Sequence, residues 1–297
     1  MRFIDAIRIP IPAKTEHIKR KFLDIPYADG YERRKLDIYL PNEGDGPFPF
    51  IVDIHGGGWY FGDKSEHKLD PALHMLERGY AVVSVAYSLS WKAKLPCQIY
   101  EIKAAIRFLK AHAQEYKLDK NHVALWGESS GSHYAALTAT SASADQLEDV
   151  SLGGNEQENS RVQAVIGWFT PTNLGNVAEQ LWVCGQNVPA KENQAPDCPP
   201  GVVLGDAPAN VPELVKQMDP NTYVNKNCPP FFLFHGTNDC VVPIMSSMNL
   251  AANLMKYIGR EHVQFRWVEG ARHTKDDFDN EENYQLIGAF LDKYMKN

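Results

Sequence analysis

No stretch of this sequence approaches the roughly 18 consecutive apolar residues that a membrane-spanning helix requires. Its opening, Met1-Arg2-Phe3-Ile4-Asp5-Ala6-Ile7-Arg8, puts charges where the apolar centre of a signal peptide would lie. No membrane partner is therefore expected, and a cytoplasmic location is. A basic excess is also missing: 30 Lys and Arg stand against 37 Asp and Glu, a formal net charge of −7. Nucleic acid and anionic surfaces both need a basic face, so neither is expected as a partner. The five cysteines (Cys97, Cys184, Cys198, Cys228, Cys240) are odd in number and scattered, and no pair has zinc-ligand spacing. They are read as reduced thiols, with no disulfide framework and no metal site. A chain of 297 residues needs neither, because folding at that length buries roughly three quarters of the unfolded surface. Internal repeats and low-complexity linkers are absent too, which leaves one domain over residues 1–297 as the economical reading.

What the sequence does have is an alternation of short apolar runs with amphipathic stretches. Phe50–Ile54, Tyr80–Ala86, Val123–Trp126, Val162–Ile166, Phe231–Phe234 and Val263–Val268 read as strands. Between them Ile99, Ile102, Ile106, Leu109 and Ala113 fall on one helical face, and further helices are expected from Ser130, from Pro243, and through Leu286, Phe290 and Tyr294. Strands that are apolar throughout suit a sheet covered on both sides. Strand–helix alternation at this spacing predicts an α/β, doubly wound, mostly parallel sheet. Lys19–Ile25 and Lys35–Leu40, close together around Asp29-Gly30, predict an antiparallel hairpin on its edge. Between Phe169 and Tyr223 no strand can be found, and Pro196, Pro199, Pro200 and Pro208 crowd together. An excursion that long inside a compact domain predicts an inserted cap over about residues 170–222.

Four strands end in residues that carry chemistry. Val123–Trp126 runs into Gly127-Glu128-Ser129-Ser130-Gly131, a G-x-S-x-G sequence. A serine at a sharp strand-to-helix turn needs small residues on either side, and only Ser129 has glycines at both flanking positions. Ser130, flanked by Glu128 and Ser132, instead supplies a backbone N–H. Alone, the pentapeptide is a weak signal. Phe50–Ile54 ends in His55-Gly56-Gly57-Gly58-Trp59, where consecutive glycines let amides point into a cavity, as the oxyanion of acyl transfer requires. On its own this could be a flexible turn; with the serine it marks Gly57 and Gly58 as donors, with His55 holding the loop. Phe231–Phe234 leads into Asp239, and Val263–Val268 into His273, both just past the carboxyl end of a strand, where doubly wound sheets bind ligands. The order Ser129, Asp239, His273 is that of α/β-hydrolases and of neither chymotrypsin-like nor subtilisin-like enzymes.

With these motifs in place the sequence resembles the hormone-sensitive-lipase-like carboxylesterases of the α/β-hydrolase fold. Within them it is similar to the bifunctional feruloyl and acetyl xylan esterases. Intervening text carries the likeness from about residue 20 onward: Ala104-Ala105-Ile106-Arg107-Phe108-Leu109, Leu152-Gly153-Gly154-Asn155 and Asp219-Pro220-Asn221-Thr222-Tyr223. Departures are Tyr87-Ser88 where these esterases usually have Tyr-Arg, Pro171-Thr172-Asn173 in place of Pro-Thr-Asp, and extra cap residues around Glu192 to Pro200.

The expected activity is two-step ester hydrolysis with Ser129 as nucleophile, His273 as base and Asp239 behind it, needing no cofactor and no metal. The partner expected is a small-molecule ester. Trp59, Tyr60 and Trp182 are expected to put aromatic bulk around the substrate. That bulk, with the resemblance, points to short acyl groups, first among them acetylated plant-polysaccharide oligosaccharides and next feruloyl esters. An aryl formamidase or amidase with the same triad is the alternative chemistry, and a non-catalytic binding module the alternative class. Cys240, beside Asp239, is expected to be a bystander.

Overall fold

In a computed structural model, which describes residues 2–186 and 194–296, the apolar runs become eight strands. They are β1 (Lys21–Pro26), β2 (Lys35–Tyr39), β3 (Phe48–Ile54), β4 (Ala81–Val85), β5 (Leu118–Glu128), β6 (Ala164–Trp168), β7 (Phe231–Gly236) and β8 (Val263–Val268). They form one sheet in the order β1-β2-β4-β3-β5-β6-β7-β8. β1 and β2 make the expected hairpin, antiparallel from Lys21↔Tyr39 to Pro26↔Lys35, and β2 also runs antiparallel to β4. From β4 to β8 every pairing is parallel. β1 is largely exposed, as an edge strand can be, and it ends in a proline, which needs no ladder partner.

Alternation along the central strands feeds two hydrophobic cores, one on each face. Phe50, Val52, Ile54, Val83, Val85, Val123 and Leu125 point into one. Ile51, Val82, Ala124 and Trp126 point into the other. Helices α2 (Cys97–Ala111), α3 (Ser130–Ser143) and α7 (Ile244–Ile258) cover the first face through Ile99, Ile102, Leu137, Leu250 and Leu254. The short α1 (Asp70–Leu73) and the last helix α8 (Glu281–Met295) cover the second through Leu73, Ile287 and Leu291. With the central strands β3 to β7 buried on both sides, continuous apolar runs rather than alternating ones are what that part of the sheet demands.

The sequence between Phe169 and Tyr223 holds α4 (Val177–Val183), α5 (Pro199–Leu204) and α6 (Pro212–Gln217), and no strand among the described residues. Residues 187–193, which include Glu192 at the start of the extra cap residues, lie outside the described residues. α5 starts where Cys198 accepts a hydrogen bond from the Gly201 amide through Sγ at 3.3 Å. Pro199 and Pro200 occupy its first positions, where a missing N–H costs nothing. It stops at Gly205, whose φ of 93° closes the helix.

Among the strand boundaries that differ from expectation, those of β5 and β6 have plain physical reasons. β5 begins at Leu118 rather than Val123, because Leu118 is buried and pairs with Phe48 across a register shift. The polar residues Asp119 to His122 hid that start. β6 is displaced to Ala164–Trp168, where Trp168 is fully buried and continues the ladder opposite Glu128 and Phe234.

β3 is flanked by β4 on one side and β5 on the other, so the chain changes its direction of travel across the sheet at this strand. The crevice beyond its carboxyl end is a topological switch point, where open α/β sheets bind ligands. Ile54 pairs with Gly127 at its mouth.

Candidate active site

Ser129 follows β5 directly and precedes the first residue of α3, with φ 52° and ψ −125°. A non-glycine residue seldom takes positive φ, and a serine strained this way at a strand-to-helix turn is pushed out above the sheet. The surroundings hold it there: its amide donates to the Trp168 carbonyl at 3.0 Å, and its carbonyl accepts from the His133 amide at 3.0 Å. Close packing below explains the flanking glycine at 131, since a Cβ there would collide with the Ile54 carbonyl oxygen.

The loops after β7 and β8 bring Asp239 and His273 to this serine. His273 Nε2 lies 2.8 Å from Ser129 Oγ, and its Nδ1 lies 2.8 Å from Asp239 Oδ2. The carboxylate can only accept, so Nδ1 carries the hydrogen and Nε2 is left to accept from the serine hydroxyl. The imidazole rests on the Phe169 ring, with centroids 4.5 Å apart. Asp239 is buried, and its other oxygen takes the amide hydrogens of Val241 and Val242 at 2.8 and 2.9 Å. Burial alone would push its carboxyl up. Hydrogen bonds from His235 and His273 outweigh that and hold it well below the usual carboxylate range. His235, which ends the apolar part of β7, reaches Asp239 Oδ2 at 3.3 Å while its Nε2 donates to the Val242 carbonyl at 3.0 Å. The sequence reading did not single it out.

Across the cleft, the loop after β3 carries Gly57 and Gly58. Gly57 has a φ of 136°, and a Cβ on it would collide with the Phe61 carbonyl. Among the described residues no protein acceptor takes the amide hydrogens of Gly57, Gly58 or Ser130. His55 is buried beneath this loop and stacked on Tyr87 at 4.4 Å. The Tyr87 hydroxyl donates to the His55 carbonyl at 2.6 Å, and burial lowers the imidazole pKa, keeping it neutral. Where the sequence reading noted a missing arginine, Ser88 donates through both its amide and its hydroxyl to Glu101 at 2.7 Å. Arg34 pairs with the same carboxylate at 2.9 Å.

Ser129, His273, Gly57 and Gly58 line one cleft of about 470 Å³, within the usual size range of small-molecule sites. A larger groove of about 910 Å³ lies away from Ser129, between Lys14, Asn42, Asp70 and His74, and meets the cleft only at Lys275. Chemistry rather than size selects the smaller one. Pro171, Val177, Pro199 and Pro200, all from the strandless stretch, form part of its wall.

The three aromatic residues expected around substrate have separate fates. Trp59 lines the cleft and is buried, its indole N–H donating to His133 Nδ1 at 3.2 Å. His133 in turn donates from Nε2 to the Met218 carbonyl at 2.9 Å, and burial pushes its pKa down to about 4, which suits the neutral tautomer. Tyr60 is not among the lining residues. Trp59 has a φ of 62°, which turns the chain so that Tyr60 packs edge-on against Phe3 and Phe61. Trp182 stands 75% exposed on α4 and does not line the cleft either. Cys240 is exposed, and all five cysteines are free.

The cleft also contains a charged pair that motif reading passed over. Glu128, the variable residue before Ser129, reaches Lys68 at 3.1 Å, and both line the cleft. Behind them Asp53 is buried, and burial first and the Glu128 charge second push its pKa well up. The early signal was the charge inside the G-x-S-x-G sequence, since Lys68 lies in a short helical turn (His67–Leu69) distant in sequence. No group of three or more His, Cys, Asp or Glu among the described residues is placed to hold a metal ion. No helix among them is long and apolar enough to cross a membrane.

The sequence matches the BD-FAE family over residues 36–254. It is 29% identical over 271 residues to the esterase LipQ of Mycobacterium tuberculosis (strain ATCC 25618 / H37Rv), covering 90% of this chain and 60% of that protein. The chain thus spans about three fifths of the length of the curated relatives it matches. Among solved structures it superposes on a truncated form of a carbohydrate esterase from gut microbiota with a TM-score of 0.84 and 27% identity, covering 96% of this chain and all of that one. It superposes on a bifunctional GH43-CE protein of Bacteroides eggerthii with a TM-score of 0.80 and 30% identity, over 92% of this chain and 38% of that one. The fold is that of the α/β-hydrolases.

Proposed function

The chain belongs to the BD-FAE family, and we propose that it is a serine carboxylic ester hydrolase with Ser129 as nucleophile, His273 as general base and Asp239 as the group that orients and charges the base. The observation that carries this is the unbroken relay from Ser129 Oγ to His273 to Asp239, two contacts of 2.8 Å, on the floor of a cleft of substrate size.

The reaction follows from the geometry. As Ser129 Oγ attacks the ester carbonyl, its proton passes to His273 Nε2, and the imidazolium is stabilised by the Asp239 carboxylate. The carbonyl oxygen, now negative, is met by the amides of Gly57, Gly58 and Ser130. Such donors act before any solvent has to reorganise, and each is worth about 3 kcal/mol of barrier. The N-terminus of α3 adds its positive end. His273 then gives the proton to the departing alcohol, and a water, deprotonated by the same imidazole, releases the acid and restores Ser129.

The natural substrate is a short-chain acyl ester, foremost the acetyl esters of plant-polysaccharide oligosaccharides, with feruloyl esters as the second reading. Support comes from the buried Trp59 beside the oxyanion loop, from a cleft of modest volume, and from the carbohydrate esterases among the structural neighbours. Residues 170–222 act as a cap within a single domain, contributing Pro171, Val177, Pro199 and Pro200 to the substrate wall. The test is to assay an aryl acetate, an aryl formamide and a dipeptide side by side, then acetate release from acetylated xylo-oligosaccharides. Fast turnover of the ester and of the oligosaccharides is expected. Faster turnover of the formamide would replace this reading with an amidase, and no acetate release would remove the sugar substrate while leaving the esterase.

A further inference from the structure

The first strand begins only at Lys21, yet the segment before it is not idle. Residues 11–13 run along the loop that follows the oxyanion glycines. The His67 amide donates to the Ile11 carbonyl at 2.8 Å, the Ala13 amide to the Ser65 carbonyl at 2.9 Å, and Pro12 bridges Glu66. Further back, Arg8 lies 4.8 Å above the Phe61 ring. A single helical turn, Phe3–Asp5, then sets Phe3 edge-on to Tyr60 and Phe61, with centroids 5.9 and 5.3 Å apart. The Phe3 ring is close over the oxyanion loop itself: a Cβ built on Gly58 would stand 2.6 Å from Phe3 Cζ. Phe3 and Arg8 both line the cleft that holds Ser129. The isoleucines of the same segment face the other way, with Ile7 94% and Ile9 85% exposed.

We propose that Phe3 is a specificity-determining residue, the wall that limits the length of the acyl group. The inference rests on Ser129 being the acylated nucleophile. The leaving alcohol takes its proton from His273, so it occupies the His273 side of the cleft. Phe3 instead packs on the oxyanion loop at Gly58 and lines the same cleft, and that side is assigned to the acyl substituent of the tetrahedral carbon. A benzene ring at that place excludes several methylenes, and an apolar pocket that refuses even one methylene can discriminate by about tenfold or more. Gly58 is compelled to be small by the same contact, because a side chain there would displace the ring. The segment is fastened at residues 11–13 by backbone bonds and at Phe3 and Arg8 only by rings, so Phe3 can be trimmed without touching the anchor.

The experiment is a series of para-nitrophenyl esters from acetate to octanoate on the full chain, comparing wild type with Phe3→Ala, Phe3→Trp and Ile7→Ser. The readout is the ratio of kcat/KM for octanoate to that for acetate. Phe3→Ala should raise this ratio at least tenfold, Phe3→Trp should lower it, and Ile7→Ser, on the outward side of the same segment, should leave it within twofold. A Phe3→Ala ratio within twofold of wild type overturns the proposal. So does an equal rise in Ile7→Ser, which would mean that the segment had merely loosened. An altered preference among acetates of different alcohols, with the acyl ratio constant, overturns it as well, by placing Phe3 on the alcohol. A wild type that hydrolyses no ester of the series would instead defeat the esterase reading itself, which keeps the two failures apart.

Discussion

Replacing Asp239 by asparagine changes one atom and should disable the site through the wrong imidazole tautomer. Asp239 Oδ1 accepts two amide hydrogens, from Val241 at 2.8 Å and Val242 at 2.9 Å, while Oδ2 faces His273 Nδ1 at 2.8 Å. An asparagine must keep its carbonyl oxygen toward the two amides, since turning it would set its NH₂ against two N–H donors and leave all of them buried and unsatisfied. Each such group costs about 1–3 kcal/mol. The NH₂ is then forced to face His273. Nδ1 must accept, the hydrogen moves to Nε2, and a nitrogen that should take the Ser129 proton is already protonated. The imidazolium also loses its carboxylate. Together these should lower kcat by about 10⁴, equivalent to roughly 5.5 kcal/mol of barrier. Turnover of an aryl acetate, with far-UV circular dichroism to verify folding, measures it. A kcat within tenfold of wild type would refute the reasoning, because it would mean that the tautomer does not govern the serine. His235→Gln is the useful comparison: it touches the same carboxylate at 3.3 Å but lies outside the relay to Ser129, so its loss should be far smaller.

The same carboxylate makes a statement about stability. Its pKa is held below the ordinary aspartate value in the folded chain by the hydrogen bonds from His235 and His273, so its contribution is present above the ordinary value and disappears as pH falls through the folded-state pKa. The Tm gap between wild type and Asp239→Asn should therefore narrow on acidification below about pH 4; a gap that widens would contradict the assigned hydrogen bonds. Glu128→Gln removes the partner of Lys68 in a pair only partly exposed and should cost roughly 1–3 kcal/mol in urea unfolding, with no change at all arguing that the pair is solvated. Trp182→Ala and Cys240→Ser alter exposed side chains, and each should keep kcat/KM on an aryl acetate within twofold. A tenfold loss in Trp182→Ala would return that residue to the substrate wall, and one in Cys240→Ser would show that the thiol is no bystander.

Much of this architecture was legible because burial on both faces leaves a plain mark: Phe50–Ile54, Val123–Trp126 and Phe231–Phe234 are apolar runs, and each lies within the strand that forms. The residues that gather at the cleft were legible for a related reason. Parallel strands put their carboxyl ends at one edge, so Gly57, Ser129, Asp239 and His273 could be placed together from their position after strands alone. What failed to show was direction and distance. Trp59 and Tyr60 are adjacent, and only the positive φ of Trp59 sends one into the cleft and the other against Phe3. The exposed Trp182 carried the same aromatic signal as a buried one. Phe3 meets Gly58, and Lys68 meets Glu128, through tertiary contacts between segments distant in sequence, with no periodicity to announce them.

The central claim is that Ser129 is the nucleophile, and covalent trapping tests it most directly. The protein is treated with diethyl para-nitrophenyl phosphate, and the product is read by intact mass and peptide mapping. One diethyl phosphoryl group per chain is predicted, on Ser129, with aryl acetate turnover lost in proportion to labelling, and with no label and no turnover in Ser129→Ala. Label on Ser130, or a Ser129→Ala protein that keeps a tenth of the wild-type rate, would contradict the account.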